Sequence, residues 1–192
     1  GTGLGTNGES WGMFGTDLGD INNDGWLDIA SNSFGSGNGV HIYKNNQNGT
    51  WTQSAAYAQN GNTGKYVKFG DIDGDGNIDF VFSNSLVVAY FGNGNGTFTN
   101  KDNNLPYSQS GMAYEDVSLG DIDNDGDDDL IFTNWDANGT RGVYVYKWNK
   151  VTQSWDNASS GLPTSANSWF YISRFGDMDM DGFLDELTLN YD

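Results

Sequence analysis

One segment of the sequence places aspartates at a spacing that suits a metal ion. Residues 70–79, GDIDGDGNID, have four aspartates at every second or fourth position, crossed by glycines. Carboxylates this close together repel one another, and a hard divalent cation offsets that repulsion. Calcium takes six to eight oxygen ligands at about 2.3–2.6 Å, which a short acidic loop can supply. The segment therefore predicts a calcium-binding loop.

The order of residues in this loop matches the first half of an EF-hand. The predicted ligands are the carboxylates of Asp71, Asp73, Asp75 and Asp79 and the carbonyl of Asn77. Gly76, at the sixth position, permits a sharp turn that a residue with a Cβ resists. The twelfth residue is Phe82, in the apolar run FVFSN, where an EF-hand has a glutamate followed by a helix. We therefore predict that the loop leads into a β-strand.

The nine-residue pattern occurs four times. DINNDGWLD begins at Asp20, DIDGDGNID at Asp71, DIDNDGDDD at Asp121 and DMDMDGFLD at Asp177. The spacings of 51, 50 and 56 residues indicate an internal repeat. We predict one repeat domain over residues 1–192, with a connector (1–10), three repeats (11–64, 65–112, 113–167) and a partial fourth (168–192).

The segments around each loop favour β-strands. A glycine precedes every loop and a short apolar run follows it; the first three repeats continue with an alternating segment, GVHIYKN, LVVAYFGN or GVYVYKWN. Alternation with a period of two, bounded by Asn/Gly turns such as Asn48-Gly49 and Asn95-Gly96, is typical of β-structure. No window shows helical spacing, so we predict an all-β chain with about four strands per repeat.

The repeats resemble the FG-GAP or VCBS repeats of integrin-α-like β-propellers, in their bacterial and archaeal VCBS form. The resemblance implies a four-stranded antiparallel blade per repeat and about four Ca²⁺ ions, one in each loop between the first two strands. It carries the metal ligands to Asp20, Asn22, Asp24, Trp26 (carbonyl) and Asp28; Asp71, Asp73, Asp75, Asn77 and Asp79; Asp121, Asp123, Asp125, Asp127 and Asp129; and Asp177, Asp179, Asp181, Phe183 and Asp185. Because Asn22 replaces an acid, the first site is predicted to be weaker.

The fourth repeat stops after the strand that leaves its loop, so the chain holds about three and a half blades. A closed ring usually has four to eight. We expect either a part of a larger propeller, which is the commoner use of such repeats, or an open array in which another copy adds strands to the free edge. A head-to-tail contact of that kind produces a fibre, with Tyr191 beside the first repeat of a neighbour.

Charge and composition restrict the partners. The net charge is −18, and 15 of the 26 acidic residues occupy the carboxylate ligand positions. The chain therefore lacks the basic face of a nucleic-acid-binding protein, and it is unsuited to anionic membranes. Loops of this kind suit the high calcium outside cells, and no leader or stretch of about 20 apolar residues is present. We expect an extracellular or cell-surface protein that, beginning at Gly1, is a processed product or part of a longer chain.

Four N-x-S/T sequons have two interpretations. Asn48, Asn95, Asn138 and Asn157 are candidate glycosylation sites. Alternatively, Asn-Gly is hairpin-turn chemistry and the threonine starts a strand.

Three functions remain open. The first is a calcium-rigidified structural or adhesion module that binds an extracellular protein, a glycan or further copies of itself. The second is a lectin, since aromatics recur at matched positions (Trp11 and Trp169; Trp51, Phe98 and Trp155), although such residues more often pack between repeats. The third is an enzyme of the polysaccharide-lyase type. The chain offers only His41, Arg141 and Arg174 for that chemistry, so we predict that it is not an enzyme.

Overall fold

The computed structural model describes residues 2–5, 13–33, 39–57, 66–83, 87–106, 112–136, 141–165 and 169–191. The described residues form fourteen strands and no helix. The strands are β1 (Met13–Gly19), β2 (Asp28–Ser33), β3 (Gly39–Asn45), β4 (Trp51–Tyr57), β5 (Val67–Gly70), β6 (Asp79–Ser83), β7 (Val87–Gly92), β8 (Phe98–Asn100), β9 (Met112–Gly120), β10 (Asp129–Asp136), β11 (Gly142–Asn149), β12 (Ser154–Asn157), β13 (Trp169–Gly176) and β14 (Asp185–Tyr191). Within this described part, no segment is a helix suited by length and apolarity to crossing a bilayer.

Each sheet is built from strands that are consecutive in the chain. β1–β4, β5–β8 and β9–β12 form three four-stranded sheets, and β13 and β14 form a two-stranded sheet. All the pairings are antiparallel. The predictions of an all-β chain, of four strands per repeat and of a partial fourth repeat are confirmed. We refer to the three full sheets as blades 1 to 3 and to β13–β14 as the half-blade.

The middle strands of the blades are buried on both faces. All five residues of β6 and the first five of β3 are buried. The alternating residue pattern in these strands therefore does not separate a solvent-exposed face from a buried one. The reason is that blades stack face to face, and each blade therefore needs apolar side chains on both sides. The hydrophobic core is divided among the blade interfaces: Ala30, Val40 and Ile42 of blade 1 pack with Val67, Phe80 and Phe82 of blade 2.

The other two interfaces follow the same plan. Trp155 of blade 3 is 1% exposed and lies in the cluster shared with blade 2, where its Nε1 donates to the carbonyl of Lys101 at 2.9 Å. Phe170 of the half-blade packs against Ile131 and Val143 of blade 3. Aromatic residues therefore pack between blades at these positions, as expected for repeats stacked in series.

The first strands of successive sheets lie side by side. β1 contacts β5, β5 contacts β9, and β9 contacts β13. Two buried or half-buried aspartates tie these strands together. The N–H of Phe69 donates to Asp17 Oδ2 at 3.0 Å, and the N–H of Ser173 donates to Asp116 Oδ2 at 3.2 Å. The first strand is therefore the inner strand of each blade, as in a propeller.

The outer hairpins of blades 1 and 2 turn in three residues, and that of blade 3 turns in four. In blade 1 the N–H of Asn46 donates to the carbonyl of Thr50 at 3.0 Å, and Gln47 and Gly49 adopt φ of 61° and 82°. Asn48 lies between them, and its Oδ1 accepts the N–H of Thr50 at 3.0 Å. The predicted Asn-Gly turn is present. The asparagine stabilises it by accepting a hydrogen bond through its side chain, and its own backbone is not left-handed.

Candidate metal centres

The four aspartate-rich segments are equivalent loops between the first and second strands of their sheets. Loop 1 covers residues 20–28, loop 2 covers 71–79, loop 3 covers 121–129 and loop 4 covers 177–185. We number the positions of each loop from 1 to 9. The loops connect β1 to β2, β5 to β6, β9 to β10 and β13 to β14.

Each loop is folded by hydrogen bonds from its own backbone to its carboxylates. In loop 2, Asp71 at position 1 accepts the N–H groups of Asp75 and Gly76, both at 3.0 Å. The position 5 carboxylate of Asp75 accepts the N–H of Asn77 at 2.8 Å. The same three bonds occur in loops 1, 3 and 4. The motif therefore fixes the shape of the loop as well as its donor atoms.

Two positions have left-handed backbone in every loop. The glycine at position 6 has φ between 84° and 92° in all four loops, which is why this position is glycine. Position 4 has φ between 57° and 63° and is held by Asn23, Gly74, Asn124 and Met180. Asparagine and glycine tolerate this conformation, whereas methionine does so at a cost.

The aspartate at position 9 joins the loop to the third strand of its blade. Asp79 is 1% exposed; its Oδ2 accepts the N–H of Ile72 at 2.8 Å, and its Oδ1 accepts the N–H of Gly92, at the end of β7, at 2.7 Å. Asp28 accepts the N–H groups of Ile21 and Asn45 in the same way in blade 1. One oxygen of this carboxylate accepts an N–H from its own loop, and the other accepts an N–H from the third strand. Both oxygens are therefore bonded only where the blade has a third strand.

Three of the loops bring acidic groups to one point. Positions 1, 3 and 9 form the groups Asp71, Asp73 and Asp79; Asp121, Asp123 and Asp129; and Asp177, Asp179 and Asp185, and in each group one oxygen per residue lies within 4.8 Å of the others. Because calcium–oxygen distances are about 2.3–2.6 Å, one ion can contact oxygens at this separation. Position 5 is outside these triads and is engaged with position 7.

Loop 1 differs at position 3. Asn22 offers an amide oxygen, which accepts the N–H of Asp24 at 3.2 Å. Loop 1 therefore has one charge fewer around the same point. That the first site is weaker stays a prediction.

Burial makes the position 9 carboxylates of loops 2 and 3 costly to ionise. Burial raises the pKa of Asp79 to about 7; hydrogen bonds from Gly92 and Ile72 offset part of this, and repulsion from Asp73 and Asp75 adds to it. Burial likewise raises the pKa of Asp129 to about 7. Asp73 Oδ1 is buried and has no hydrogen-bond partner among the described residues. A set of oxygen donors with an unpartnered buried oxygen and unfavourable like charges fits a hard divalent cation.

Lysines lie against the loops of all three full blades. Lys101 Nζ is 3.6 Å from Asp73 and 4.4 Å from the centroid of the Phe91 ring. Lys147 pairs with Asp123, and Lys44 Nζ lies 3.9 Å from Asp24. The loop motif does not predict these pairs, because the lysines come from the third strand or from beyond the fourth. The only signal was the match between YKN and YKWN in the first and third repeats.

Adjacent loops also contact one another. Asn23 Nδ2 donates to Asn77 Oδ1, and Asn124 Nδ2 donates to the carbonyl of Gly182, both at 3.0 Å. Between loops 2 and 3, the N–H of Asp71 donates to Asp128 Oδ2 at 3.0 Å, and the N–H of Asp128 donates to the Asp71 carbonyl at 3.1 Å. The four loops therefore form a continuous row along one rim.

The position 7 residues were predicted to act through their carbonyls. Trp26 and Phe183 have side chains that are 48% and 54% exposed. Asp127 is 4% exposed and pairs with Lys150 at the contact with loop 2. The sequence prediction overlooked this role and that of Asp128, although the run of three aspartates at 127–129 was a visible signal.

The remaining candidate residues lie elsewhere. His41 is 6% exposed in β3, with its Nδ1 3.2 Å from Gln53 Nε2, and Arg174 pairs with Asp116. The sequon asparagines Asn48, Asn95 and Asn157 are exposed. Asn138 and Trp11 lie outside the described residues, as do the side chains of Trp169 and Tyr191.

Comparison with known proteins matches this architecture. The family model described as FG-GAP-like repeat matches residues 20–82, 71–132 and 121–188. Each match begins at position 1 of a loop and extends through the next loop into the strand after it, so the matched unit combines the last three strands of one blade with the first strand, loop and second strand of the next. A search of curated proteins found no match. The matches together span residues 20–188, and the chain belongs to the FG-GAP-like repeat family.

Proposed function

We propose that the chain is a calcium-binding structural and adhesion module of the cell surface or extracellular space. The observation that supports this most directly is the convergence of positions 1, 3 and 9 in loops 2, 3 and 4, with oxygens within 4.8 Å of one another. About four ions are proposed, one for each loop, with the amide of Asn22 replacing a carboxylate in loop 1.

The position of the ligands explains what an ion does for the fold. Asp71 and Asp73 belong to the loop, whereas Asp79 begins β6 and holds the end of β7 through Gly92. A cation bound by all three offsets their repulsion and links the loop to two strands. Metal bound to the folded chain adds RT ln(1 + [L]/Kd) to its stability. In this proposal calcium stiffens the blades without taking part in a reaction.

Calorimetric titration with calcium and thermal unfolding test the proposal. We expect about four calcium ions to bind and the melting temperature to rise with calcium concentration. The matched variant is the triple change Asp73→Asn, Asp123→Asn and Asp179→Asn, which gives every loop the amide that loop 1 already has. It should bind calcium more weakly at all three sites. Absence of binding heat together with an unchanged melting curve in excess chelator would contradict the proposal.

The extracellular location, the glycans and the partners belong to the same proposal. FG-GAP-like repeats are commonly extracellular; Asn48 and Asn95 are exposed on their turns, and Asn157 is exposed at the end of β12. Peptide mass spectrometry on native material tests for glycans; finding every sequon asparagine bare would remove this part. The proposed partners are an extracellular protein, a glycan or further copies of the chain.

The lectin and enzyme alternatives have less support. The packing of Trp155 and Phe98 into the clusters between blades favours a structural role for the repeated aromatics over stacking on sugars. A glycan array tests the lectin, and a depolymerisation screen on acidic and neutral polysaccharides tests the lyase-type enzyme. FG-GAP-like repeats are typically structural or binding elements, which agrees with a non-catalytic role.

A further inference from the structure

The glycine that precedes each loop marks where the next blade packs. A Cβ at Gly19 would lie 3.1 Å from Ile78 and Phe69 of blade 2. At Gly70 it would lie 2.5 Å from Asp128 and 2.7 Å from Leu119, and at Gly120 it would lie 2.8 Å from Leu184 and 3.0 Å from Phe175. The same two positions of the following blade approach each time: position 8 of its loop, and the residue before its own glycine. The following blade therefore packs directly against this glycine at each blade interface.

In the half-blade, the equivalent glycine is not covered by a following blade. Gly176 is the equivalent glycine, and a Cβ there would meet nothing within 4 Å in the described part of the chain. Leu187 shows the same difference. Its equivalents Ala30, Val81 and Ile131 are fully buried by the following blade, whereas Leu187 is 53% exposed. Leu189 beside it is 55% exposed. We call Gly176, Leu187 and Leu189 the half-blade surface.

Blade 1 carries the residues that fit such a surface. Leu18 precedes Gly19, and Leu27 is at position 8 of loop 1, so they correspond to Phe69 and Ile78 of blade 2. They are 54% and 55% exposed. We call Leu18 and Leu27 the blade 1 surface. Because both surfaces are exposed in the same molecule, neither covers the other within one chain.

We propose that the half-blade surface of one copy binds the blade 1 surface of a second copy. Leu18 and Leu27 of the second copy would lie on Gly176 and Leu187, repeating the contact between blades within the chain. Each contact leaves one surface of each kind free. Copies therefore add head to tail, and the product is an extended array.

The rest of blade 1 supports a contact limited to its inner strands. Tyr43, in the third strand, is fully buried, and its Oη accepts the N–H of Gly5 at 3.4 Å. The open part of this face is thus next to β1 and the start of β2. The half-blade offers two strands, β13 and β14, which correspond to the same inner part of a blade. The exposed regions therefore agree in extent as well as in residue type.

This inference deepens the proposed structural role by naming the partner, but it does not depend on calcium. Copies with a net charge of −18 repel one another at low ionic strength. The contact itself is apolar, so association should strengthen as salt screens that repulsion. Measuring the mass in calcium and in chelator, with calcium binding measured on the same samples, separates failure of this inference from failure of the calcium proposal.

The experiment is sedimentation velocity over a range of concentrations at two salt concentrations. The wild-type chain should form multiples of 20.9 kDa that grow with concentration. Gly176→Val should remain monomeric, since the added side chain occupies the contact surface while its Cβ lies more than 4 Å from the other described atoms of its own chain. Leu27→Asp should also remain monomeric. Leu187→Asp is a second variant of the half-blade surface in case Gly176→Val impairs folding.

A mixture of the two variants gives the sharpest result. Gly176→Val retains the blade 1 surface and Leu27→Asp retains the half-blade surface, so an equimolar mixture should form dimers and nothing larger. Val151→Asp is the matched control, because Val151 is 93% exposed on the turn before β12 and should assemble as the wild type does. The inference is overturned if the wild type stays at 20.9 kDa throughout, if Gly176→Val and Leu187→Asp assemble normally, or if the mixture stays monomeric.

Discussion

Loops 2 and 4 share a motif but differ in their surroundings. Asp79 of loop 2 is 1% exposed and accepts N–H groups from its own loop and from the end of β7. Asp185, the equivalent residue of loop 4, is half-buried and accepts the N–H of Met178 at 3.0 Å. Blade 2 has a third strand beside its loop, and the half-blade has two strands. The motif thus sets the ligand types, while the third strand sets their burial.

This difference predicts unequal dependence on the metal. Buried like charges repel strongly because little water screens them. An empty loop 2 therefore costs the fold more than an empty loop 4. The following changes test that comparison.

Removing the position 9 carboxylate should have the largest effect. In saturating calcium, Asp79→Ala loses a ligand and leaves the N–H groups of Ile72 and Gly92 without an acceptor. We expect a loss of about 3 kcal/mol in the free energy of unfolding, since each buried unsatisfied donor costs about 1–3 kcal/mol. Asp185→Ala, at a more exposed site, should cost about 1 kcal/mol or less. Urea unfolding measures both, and equal losses would show that the third strand is irrelevant.

The pH dependence of the chelated protein should be the next largest effect. Burial raises the pKa of Asp79 and of Asp129 from 3.8 to about 7, so the folded chain binds protons that the unfolded chain has released. Stability in chelator should then fall as pH rises from about 4 to about 7. With calcium bound the trend should reverse, because protons compete with the metal.

Urea unfolding at a series of pH values in chelator measures this trend. The double variant Asp79→Asn and Asp129→Asn removes both titrating groups and should flatten the slope. A wild-type slope that survives in the double variant would assign the effect to other groups.

A change of charge at position 3 of loop 1 tests how the number of carboxylates affects calcium affinity. Asn22→Asp should tighten calcium binding at loop 1 by a factor of the order of ten, because affinity follows the number of charged ligands. Asn23→Asp adds the same charge at position 4, which faces Asn77, and is the control. By the same reasoning Asp75→Ala should weaken binding more than Asn22→Ala. Calorimetric titration distinguishes these variants, and equal gains from Asn22→Asp and Asn23→Asp would indicate a general charge effect.

Relieving the backbone of loop 4 should have the smallest effect. Met180 has φ of 61° and is 89% exposed, in a position where loops 1 and 3 have asparagine. Met180→Asn should stabilise the chain by about 1 kcal/mol, since a left-handed conformation costs most side chains about 1–2 kcal/mol. Met178→Asn changes a neighbouring exposed methionine that has no positive φ. A gain of equal size in this control would assign the effect to polarity.

The sequence predicted the features that recur with each repeat. Strand order, the position of the loops and the donor types follow from the motif and from period-two alternation. The burial of Asp79 relative to Asp185 was not predicted, because the motif does not show that the end of the third strand donates to the position 9 carboxylate. The contacts of Lys101 with Asp73 and of Asp128 with Asp71 depend on how strands and blades align in space, which one sequence without its register does not specify.

The pairing of each strand with its neighbour in the chain has a mechanical consequence. A force applied to the two ends of the chain loads one blade interface after another, because each blade contains a single continuous stretch of sequence. Blades should detach one at a time, and each repeat of about 50 residues that unravels should lengthen the chain by about 170 Å, at 3.3–3.6 Å per extended residue. Under tension the molecule would lengthen in discrete steps, and the blades that have not yet detached would remain folded.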